Sequence, residues 1–242
     1  MPPICCGFHK AAATALGMTD FPFAIVGFDL DGTLVDSNKD LHPAINHTLA
    51  QIGREPISED RVAHLVGGGS RAMLERAFNT TGGPVGEAEF EQLYAALLDR
   101  YAAHLADQTR PYPGCLEALD ALASRGCKLA VATNKFERLA VSLLDQLGMS
   151  SRFASVIGGD TLGPGRGKPA PDMIDETIAR CGGDGRFVMI GDSSYDVRAA
   201  KAAGKPCVVL SFGYNDAPAQ TLGADAVIDH YDELVPALEA LG

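Results

Sequence analysis

The sequence predicts an α/β fold: a doubly wound, mostly parallel sheet with a Rossmann-like core and an inserted α-helical cap domain. Two observations support this prediction. Short apolar runs of strand length alternate with amphipathic helical patterns along most of the chain, which is typical of a parallel sheet with helices on both faces. Between residues 38 and 108 the alternation stops, and the sequence shows helical patterns without a convincing strand.

Each predicted strand is an apolar run that ends in a polar residue or a glycine. In chain order the runs are AIVGFD (24–29), KLAVAT (128–133), SVIGGD (155–160), FVMIGD (187–192), CVVLSF (207–212) and AVID (226–229). Amphipathic helical patterns join most of them, at 115–125, 136–147, 171–181 and 196–203. Such connections are right-handed and place the strands parallel to one another.

Helix-like patterns at 43–51, 58–65, 71–78 and 88–106 fill the interval that lacks strands. The interval begins directly after the first strand and ends just before Pro111 and Pro113. We therefore expect a helical cap of residues 38–108 above the carboxyl end of the sheet, where open parallel sheets bind their ligands. The core then comprises residues 21–37 and 109–242. Residues 1–20 are interpreted as a disordered tail; the alternative is that the protein starts at Met18.

Composition narrows the class of protein. The chain has 242 residues, of which 46% are hydrophobic, and this is enough to bury a core. A net charge of −11 argues against nucleic acid or an anionic membrane as a partner, and no apolar run approaches the roughly 18 residues of a membrane helix. Six cysteines without CxxC spacing fit a reducing compartment. We expect a soluble cytoplasmic protein, a monomer or a homodimer, whose partner is a small molecule.

Two carboxylates follow the first predicted strand. Asp29 closes the strand, and Asp31 comes two residues later, just before Gly32, which permits a tight turn. Carboxylates this close repel each other in a partly dehydrated site unless a cation lies between them. Mg²⁺ takes oxygen ligands of this kind, usually one or two carboxylates together with water and phosphate. The pair therefore predicts a magnesium site at the end of the first strand.

The later strands end in complementary groups. Thr133 and Asn134 close the second strand, Lys168 follows a glycine-rich loop after the third, and Asp192 and Asp196 close the fourth. Because the carboxyl ends of parallel strands meet at one edge of a sheet, we expect these side chains to lie in one crevice. A hydroxyl and an ammonium can bind the oxygens of a phosphoryl group in transfer, and Asp192 can complete the metal site.

In this order, the motifs FDLDGTLVDS (28–37), VATN (131–134), GKPAPD (167–172) and GDSSYD (191–196) resemble those of the haloacid dehalogenase superfamily. The resemblance covers about residues 21–242. It implies Asp29 as the nucleophile, Asp31 as the general acid and base, and Thr133 and Lys168 as phosphate binders. The implied magnesium ligands are Asp29, Asp192 and the backbone carbonyl of Asp31, with Asp196 as a supporting or alternative ligand.

These implied roles are chemically consistent with one another. A carboxylate that attacks phosphorus divides the hydrolysis into two displacements. A second carboxylate can protonate the leaving alkoxide and then deprotonate the incoming water. The resemblance also favours phosphate esters as substrates, because dehalogenases and phosphonate hydrolases of the superfamily lack the second aspartate, here Asp31.

Within the superfamily, VGGGSRAMLERAF (66–78), VIGGDTL (156–162) and FGYND (212–216) resemble the phosphoglycolate phosphatase group. In the cap, glycines 67–69 precede a helix that opens with Ser70 and Arg71. They would bring backbone N–H groups and a cation to the carboxylate of a small acid. Gly68 and Arg71 are therefore predicted substrate contacts, together with Thr133, Asn134 and Lys168.

The expected activity is the magnesium-dependent hydrolysis of 2-phosphoglycolate, or of a similarly small phosphomonoester, through an aspartyl-phosphate. Two alternatives stay open. The first alternative is a sugar-phosphate phosphatase or phosphomutase of the same superfamily. The second is a non-catalytic binding protein that kept the fold. The Asn38–Lys39 pair and the GPGRG loop before Lys168 depart from the family pattern, and they leave the identity of the leaving alcohol open.

Overall fold

The computed structural model describes residues 21–183 and 185–242, so the predicted tail of residues 1–20 lies outside the described residues. Its strands are β1 (Ile25–Phe28), β2 (Val35–Asp36), β3 (Arg110–Pro111), β4 (Lys128–Ala132), β5 (Ser155–Ile157), β6 (Phe187–Gly191), β7 (Cys207–Leu210) and β8 (Ala226–Ile228). Its α-helices are α1 (Asn38–Ala50), α2 (Glu59–Ala63), α3 (Ser70–Thr81), α4 (Glu87–Ala103), α5 (Cys115–Ser124), α6 (Glu137–Gln146), α7 (Asp172–Arg180), α8 (Ser194–Ala202) and α9 (Leu234–Ala240).

Six strands form one parallel sheet in the order β5-β4-β1-β6-β7-β8. The first strand therefore lies in the interior of the sheet, where Ile25 pairs with Lys128 on one side and with Phe187 on the other. Each of the six apolar runs identified in the sequence forms a strand of this sheet. The predicted fold class, with its inserted helices, is confirmed.

Helices cover both faces of the sheet, and the residues of β1 show how. Val26 and Phe28 point into a core shared with residues of α5, α6 and α9, whereas Ile25 packs with residues of α7 and α8 on the opposite face. This alternation explains why the strands read as continuous apolar runs, since a strand buried on both faces has no exposed side.

Helices α1 to α4, which we call the helical insertion, lie between β2 and β3. These two strands form an antiparallel ribbon of two residues each, in which Val35 pairs with Pro111 and Asp36 with Arg110. The ribbon was not predicted. It holds the two ends of the helical insertion side by side at the edge of the core. The division at residues 37/38 and 108/109 stays a prediction.

Two helices depart from the sequence prediction. Helix α1 begins at Asn38 and not at Pro43, because its first turn is fixed by buried residues, among them Asn38 and Asp40. Helix α9 (Leu234–Ala240) was not predicted, although Leu234 and Leu238 are buried against the core. Within residues 21–183 and 185–242, no helix has the length and apolar character needed to cross a membrane.

Candidate active site

One pocket lies at the carboxyl end of the sheet, between the strand ends and the helical insertion. It has about 780 Å³ of empty volume, including its open mouth. The site residues predicted from the sequence mostly line it: Asp29, Asp31, Thr133, Asn134, Lys168, Asp192 and Gly68. These side chains come from the loops after β1, β4, β5 and β6 and from the helical insertion, as the parallel topology requires.

Lys168 lies between two carboxylates. Its Nζ is 3.0 Å from Asp29 Oδ2 and 2.6 Å from Asp196 Oδ1, and the lysine side chain is almost fully buried. Burial alone would lower the pKa of Lys168, but Asp196 and Asp29 more than offset this effect, so the pKa lies above its usual value. The lysine is therefore a fixed positive charge beside Asp29.

Asp192 is held by two donors from other loops. Thr33 Oγ1 donates to Asp192 Oδ1 at 2.9 Å, and the backbone N–H of Tyr214 donates to Asp192 Oδ2 at 2.6 Å. The Tyr214 hydroxyl in turn donates to Asp36 Oδ1 at 2.7 Å and accepts from the backbone N–H of Asn38 at 2.8 Å. Tyr214 thus connects this carboxylate to the start of the helical insertion, a role the sequence did not predict.

Three carboxylates form an acidic cluster, since Asp29, Asp192 and Asp196 each place one oxygen within 4.8 Å of the other two. Burial raises the pKa of Asp29 to about 6, with Asp196 adding to the effect and Lys168 opposing it. Burial, Asp196 and Asp29 raise the pKa of Asp192 well above its usual value. Buried like charges this close need a cation, and their hard oxygen atoms fit Mg²⁺.

The three carboxylates are not equally available as ligands. Both oxygens of Asp196 are engaged: one accepts from Lys168, and the other accepts from the backbone N–H and the hydroxyl of Ser193 at the start of α8. These bonds form a capping box, in which Ser193 and Asp196 satisfy each other's backbone N–H groups. Asp29 and Asp192 face the pocket, whereas Asp196 does not line it.

Asp31 has a partner that the sequence analysis missed. Lys135 Nζ lies 3.0 Å from both Asp31 oxygens and donates to the Tyr101 hydroxyl at 2.6 Å. Burial alone would lower the pKa of Lys135, but Asp31 and Tyr101 more than offset it and raise the pKa above its usual value. The only sequence signal was the position of Lys135, directly after the predicted site residues at the end of β4.

Thr133 and Asn134 directly follow β4. Thr133 is buried, faces the pocket, and its hydroxyl accepts from the backbone N–H of Lys135 at 3.3 Å. Asn134 Nδ2 donates to the backbone carbonyl of Lys168 at 2.9 Å. In the described structure Asn134 therefore fastens the loop that carries Lys168, in addition to lining the pocket.

Glycines 67–69 reach the pocket from the helical insertion and pack against Tyr195 of the core. A Cβ on Gly68 would lie 2.8 Å from the Tyr195 hydroxyl oxygen, and the φ of Gly68 is +71°. Both facts require glycine at this position, since only glycine combines this backbone conformation with such close approach. Arg76 donates to the Gly67 carbonyl and, at 3.3 Å, to the Tyr195 hydroxyl, so the glycine loop is fixed from both sides.

Arg71 is not brought into the pocket. Its guanidinium forms an ion pair with Glu91, lies over the rings of Phe90 and Tyr94, and is about half exposed (44%). The next residue after the glycine loop that does line the pocket is Ser70, whose hydroxyl lies 2.8 Å from the Tyr94 hydroxyl. The sequence could not show on which face of α3 the arginine would lie.

Comparison with known proteins places the chain in a family. A family model described as haloacid dehalogenase-like hydrolase matches residues 23–204. The phosphoglycolate phosphatase of Agrobacterium fabrum is 45% identical over 218 residues, which cover 90% of this chain and 92% of that protein. That of Caulobacter vibrioides is 44% identical over 213 residues, covering 88% and 89%.

Among solved structures, one described as a predicted phosphoglycolate phosphatase from Haemophilus somnus superposes with a TM-score of 0.83. It is 31% identical in sequence, and the match covers 91% of this chain and 99% of that one. Together with the sheet order and the clustered strand-end residues, these matches show that the chain belongs to the haloacid dehalogenase-like hydrolase family and is a phosphatase of that family.

Proposed function

We propose that this enzyme hydrolyses small phosphate monoesters with the help of Mg²⁺, that 2-phosphoglycolate is its preferred substrate, and that the reaction passes through an aspartyl-phosphate on Asp29. The observation that carries the proposal is the contact of Asp29 with a buried lysine in a pocket that also contains Asp31 and Asp192. The names of the curated relatives support the choice of substrate.

In the first step an Asp29 oxygen attacks phosphorus, and the bond from phosphorus to the ester oxygen breaks. Lys168 stabilises the negative charge on the phosphoryl oxygens, and the Thr133 hydroxyl donates to one of them. The departing alkoxide takes a proton from Asp31, which lies on the same loop as the nucleophile. The alcohol then leaves, and the phosphoryl group stays on Asp29.

In the second step a water molecule attacks the phosphorus of the aspartyl-phosphate. Asp31 takes a proton from this water, the bond between Asp29 and phosphorus breaks, and inorganic phosphate leaves. The enzyme returns to its starting state, with Asp29 as a carboxylate. Asp31 therefore gives up a proton in one step and recovers one in the next.

The residues that would hold Mg²⁺ are Asp29 and Asp192, together with the backbone carbonyl of Asp31. When bound, the ion would neutralise the repulsion between the carboxylates and the phosphoryl oxygens. Asp196 contributes indirectly, because its oxygens are engaged by Lys168 and Ser193 and it keeps the lysine next to Asp29.

The helical insertion limits the size of the leaving alcohol. Apolar side chains of α3 and α4, among them Met73, Leu97 and Leu98, form the wall opposite the strand ends. The glycine loop at 67–69 offers backbone N–H groups near the start of α3, and such groups bind carboxylates. A short anionic alcohol such as glycolate fits this arrangement, and Arg71 is not needed for it.

The test is phosphate release by wild type and by Asp29→Asn, with and without Mg²⁺, on a panel of small esters that includes 2-phosphoglycolate and sugar phosphates. We expect Asp29→Asn to reduce turnover to background without lowering the unfolding temperature. Asp99→Asn, an exposed aspartate on α4, is the matched control and should keep full activity.

Turnover retained by Asp29→Asn would refute the nucleophile. Phosphate release that is faster from a sugar phosphate than from 2-phosphoglycolate would refute the substrate choice while leaving the mechanism intact. Conversion of a sugar phosphate to its isomer with little free phosphate would identify a phosphomutase instead.

A further inference from the structure

Lys135 is a buried cation to which the proposed reaction gives no role so far. It follows β4, only 5% of its side chain is exposed, and its Nζ lies 3.0 Å from each oxygen of Asp31. A third contact, at 2.6 Å, goes to the hydroxyl of Tyr101, over whose ring the Nζ lies at 4.5 Å from the centroid. An ammonium has three donors, so these contacts use all of them.

The two partners of Lys135 belong to different parts of the fold. Asp31 lies in the loop after β1, whereas Tyr101 lies in α4 of the helical insertion and is itself buried. Lys168, the other lysine of the pocket, is committed to Asp29 and Asp196. Among the described residues, Lys135 is therefore the cation that fixes the Asp31 carboxylate, and its own position depends on the helical insertion.

We propose that Lys135 is a positioning residue for the attack of water on the aspartyl-phosphate: it holds the Asp31 carboxylate where it can take the proton, and Tyr101 holds Lys135. The inference rests on the proposed function, because it assigns Asp31 the role of base. Bonds between an ammonium and a carboxylate are among the stronger ones in proteins, and a base displaced by about 1 Å can lose roughly 100-fold in rate.

The substrate 4-nitrophenyl phosphate separates this role from a general structural one. Nitrophenolate leaves without a proton from the enzyme, so the first step of its hydrolysis does not need Asp31. The second step, attack by water, still needs the base. The value of kcat/KM reports only the events up to the first step, whereas kcat includes the second.

We expect Lys135→Met to lower kcat for this ester about 10- to 100-fold, part of the rate that a general base typically supplies, and to change kcat/KM at most about threefold. The aspartyl-phosphate then accumulates, so nitrophenol appears in an initial burst with an amplitude equal to the enzyme concentration. Asp31→Asn should show the same split in stronger form. Tyr101→Phe keeps the ring but loses the hydroxyl. It should show the same split between a lowered kcat and a nearly unchanged kcat/KM in weaker form, with kcat about 3- to 10-fold lower.

Lys128→Met is the matched control. Lys128 opens the same strand at the opposite end of the sheet, and its Nζ donates to the Cys181 backbone carbonyl at 2.7 Å, far from the pocket. This variant should keep the wild-type kcat and show no new burst.

A parallel fall of kcat and kcat/KM in Lys135→Met, or no change in either, would overturn the inference while leaving the enzyme assignment intact. If Lys135→Met does not fold, as judged by circular dichroism, Tyr101→Phe decides the question: the split supports the inference and its absence overturns it. A wild-type enzyme that hydrolyses neither this ester nor 2-phosphoglycolate would refute the proposed function itself.

Discussion

Replacing Asp40 by alanine should lower the free energy of unfolding by about 3 to 5 kcal/mol. Asp40 lies in the first turn of α1, is almost fully buried, and ties the start of the helical insertion to its exit. Its carboxylate accepts from the backbone N–H of Gln108 at 3.0 Å, from the backbone N–H of Thr109 at 2.7 Å and from the Thr109 hydroxyl at 2.7 Å.

The magnitude follows from the donors that lose their acceptor. Alanine leaves two backbone N–H groups and one hydroxyl without a partner, and each orphaned buried donor costs roughly 1 to 3 kcal/mol. The hydroxyl can rotate and water can reach the Gln108 side, which brings the sum to about 3 to 5 kcal/mol. Asp40→Asn keeps one acceptor oxygen and places an amide N–H group among donors, so we expect an intermediate loss of about 2 kcal/mol.

The assay is urea unfolding followed by circular dichroism, with Asp107→Ala as the control. Asp107 lies near the same linker, but its side chain is 61% exposed and, within the part of the chain that the structure describes, pairs only with His104, so removing this side chain should barely change stability. A loss in Asp40→Ala of less than about 1 kcal/mol, or no larger than in Asp107→Ala, would refute the reasoning.

Three further predictions concern the metal, the packing of the core and the glycine loop. Burial raises the pKa of Asp29 in the folded protein to about 6, so folding of the metal-free protein favours the protonated carboxyl. The stability of the metal-free protein is therefore highest below about pH 4 and falls as the pH rises through 6. Mg²⁺ should therefore raise the unfolding temperature more at about pH 7.5 than at about pH 5, and equal shifts would contradict this. Gly158→Ala would place a Cβ 2.2 Å from the backbone nitrogen at the start of α6 and should cost about 1 to 3 kcal/mol in urea unfolding. Gly86, the N-cap of α4, has open space around it, so Gly86→Ala should cost at most about 0.5 kcal/mol, the small preference for glycine over alanine at an N-cap. Gly68→Ala and Gly53→Ala both place alanine at a positive φ, but only Gly68 also meets Tyr195, so only Gly68→Ala should lower kcat/KM; equal effects of the two on activity would argue against a role for the loop.

The sequence predicted the sheet because its signal is strong at every strand. A strand buried on both faces is a continuous apolar run, and the polar residue that ends it marks the edge where ligands bind. The sequence alone therefore placed Asp29, Thr133 and Asp192 at this edge of the sheet, because parallel topology brings the strand ends together. Their gathering in one pocket agrees with that prediction, while their chemical roles stay part of the proposal.

The features that the sequence missed depend on contacts between distant segments. The ribbon of β2 and β3 has two residues per strand, which is too short for periodicity to indicate. In the sequence, Lys135 is an ordinary lysine after a strand, and Tyr101 is an ordinary aromatic residue on a helix. Their proposed role depends on two contacts of the Lys135 ammonium, one with Asp31 and one with the Tyr101 hydroxyl. For Arg71 the motif was read correctly as the start of a helix, but the side chain lies on its outer face beside Glu91.

The position of β1 inside the sheet determines how the protein can fold. The strand pairs with β4 and β6, both of which are synthesised long after it, so no stable sheet exists until most of the chain has emerged from the ribosome. In the meantime the helices of the insertion can form local contacts with one another, such as those between α1 and α4. We therefore expect slow, late closure of the sheet, with exposed apolar strand edges in the nascent chain that chaperones would need to protect.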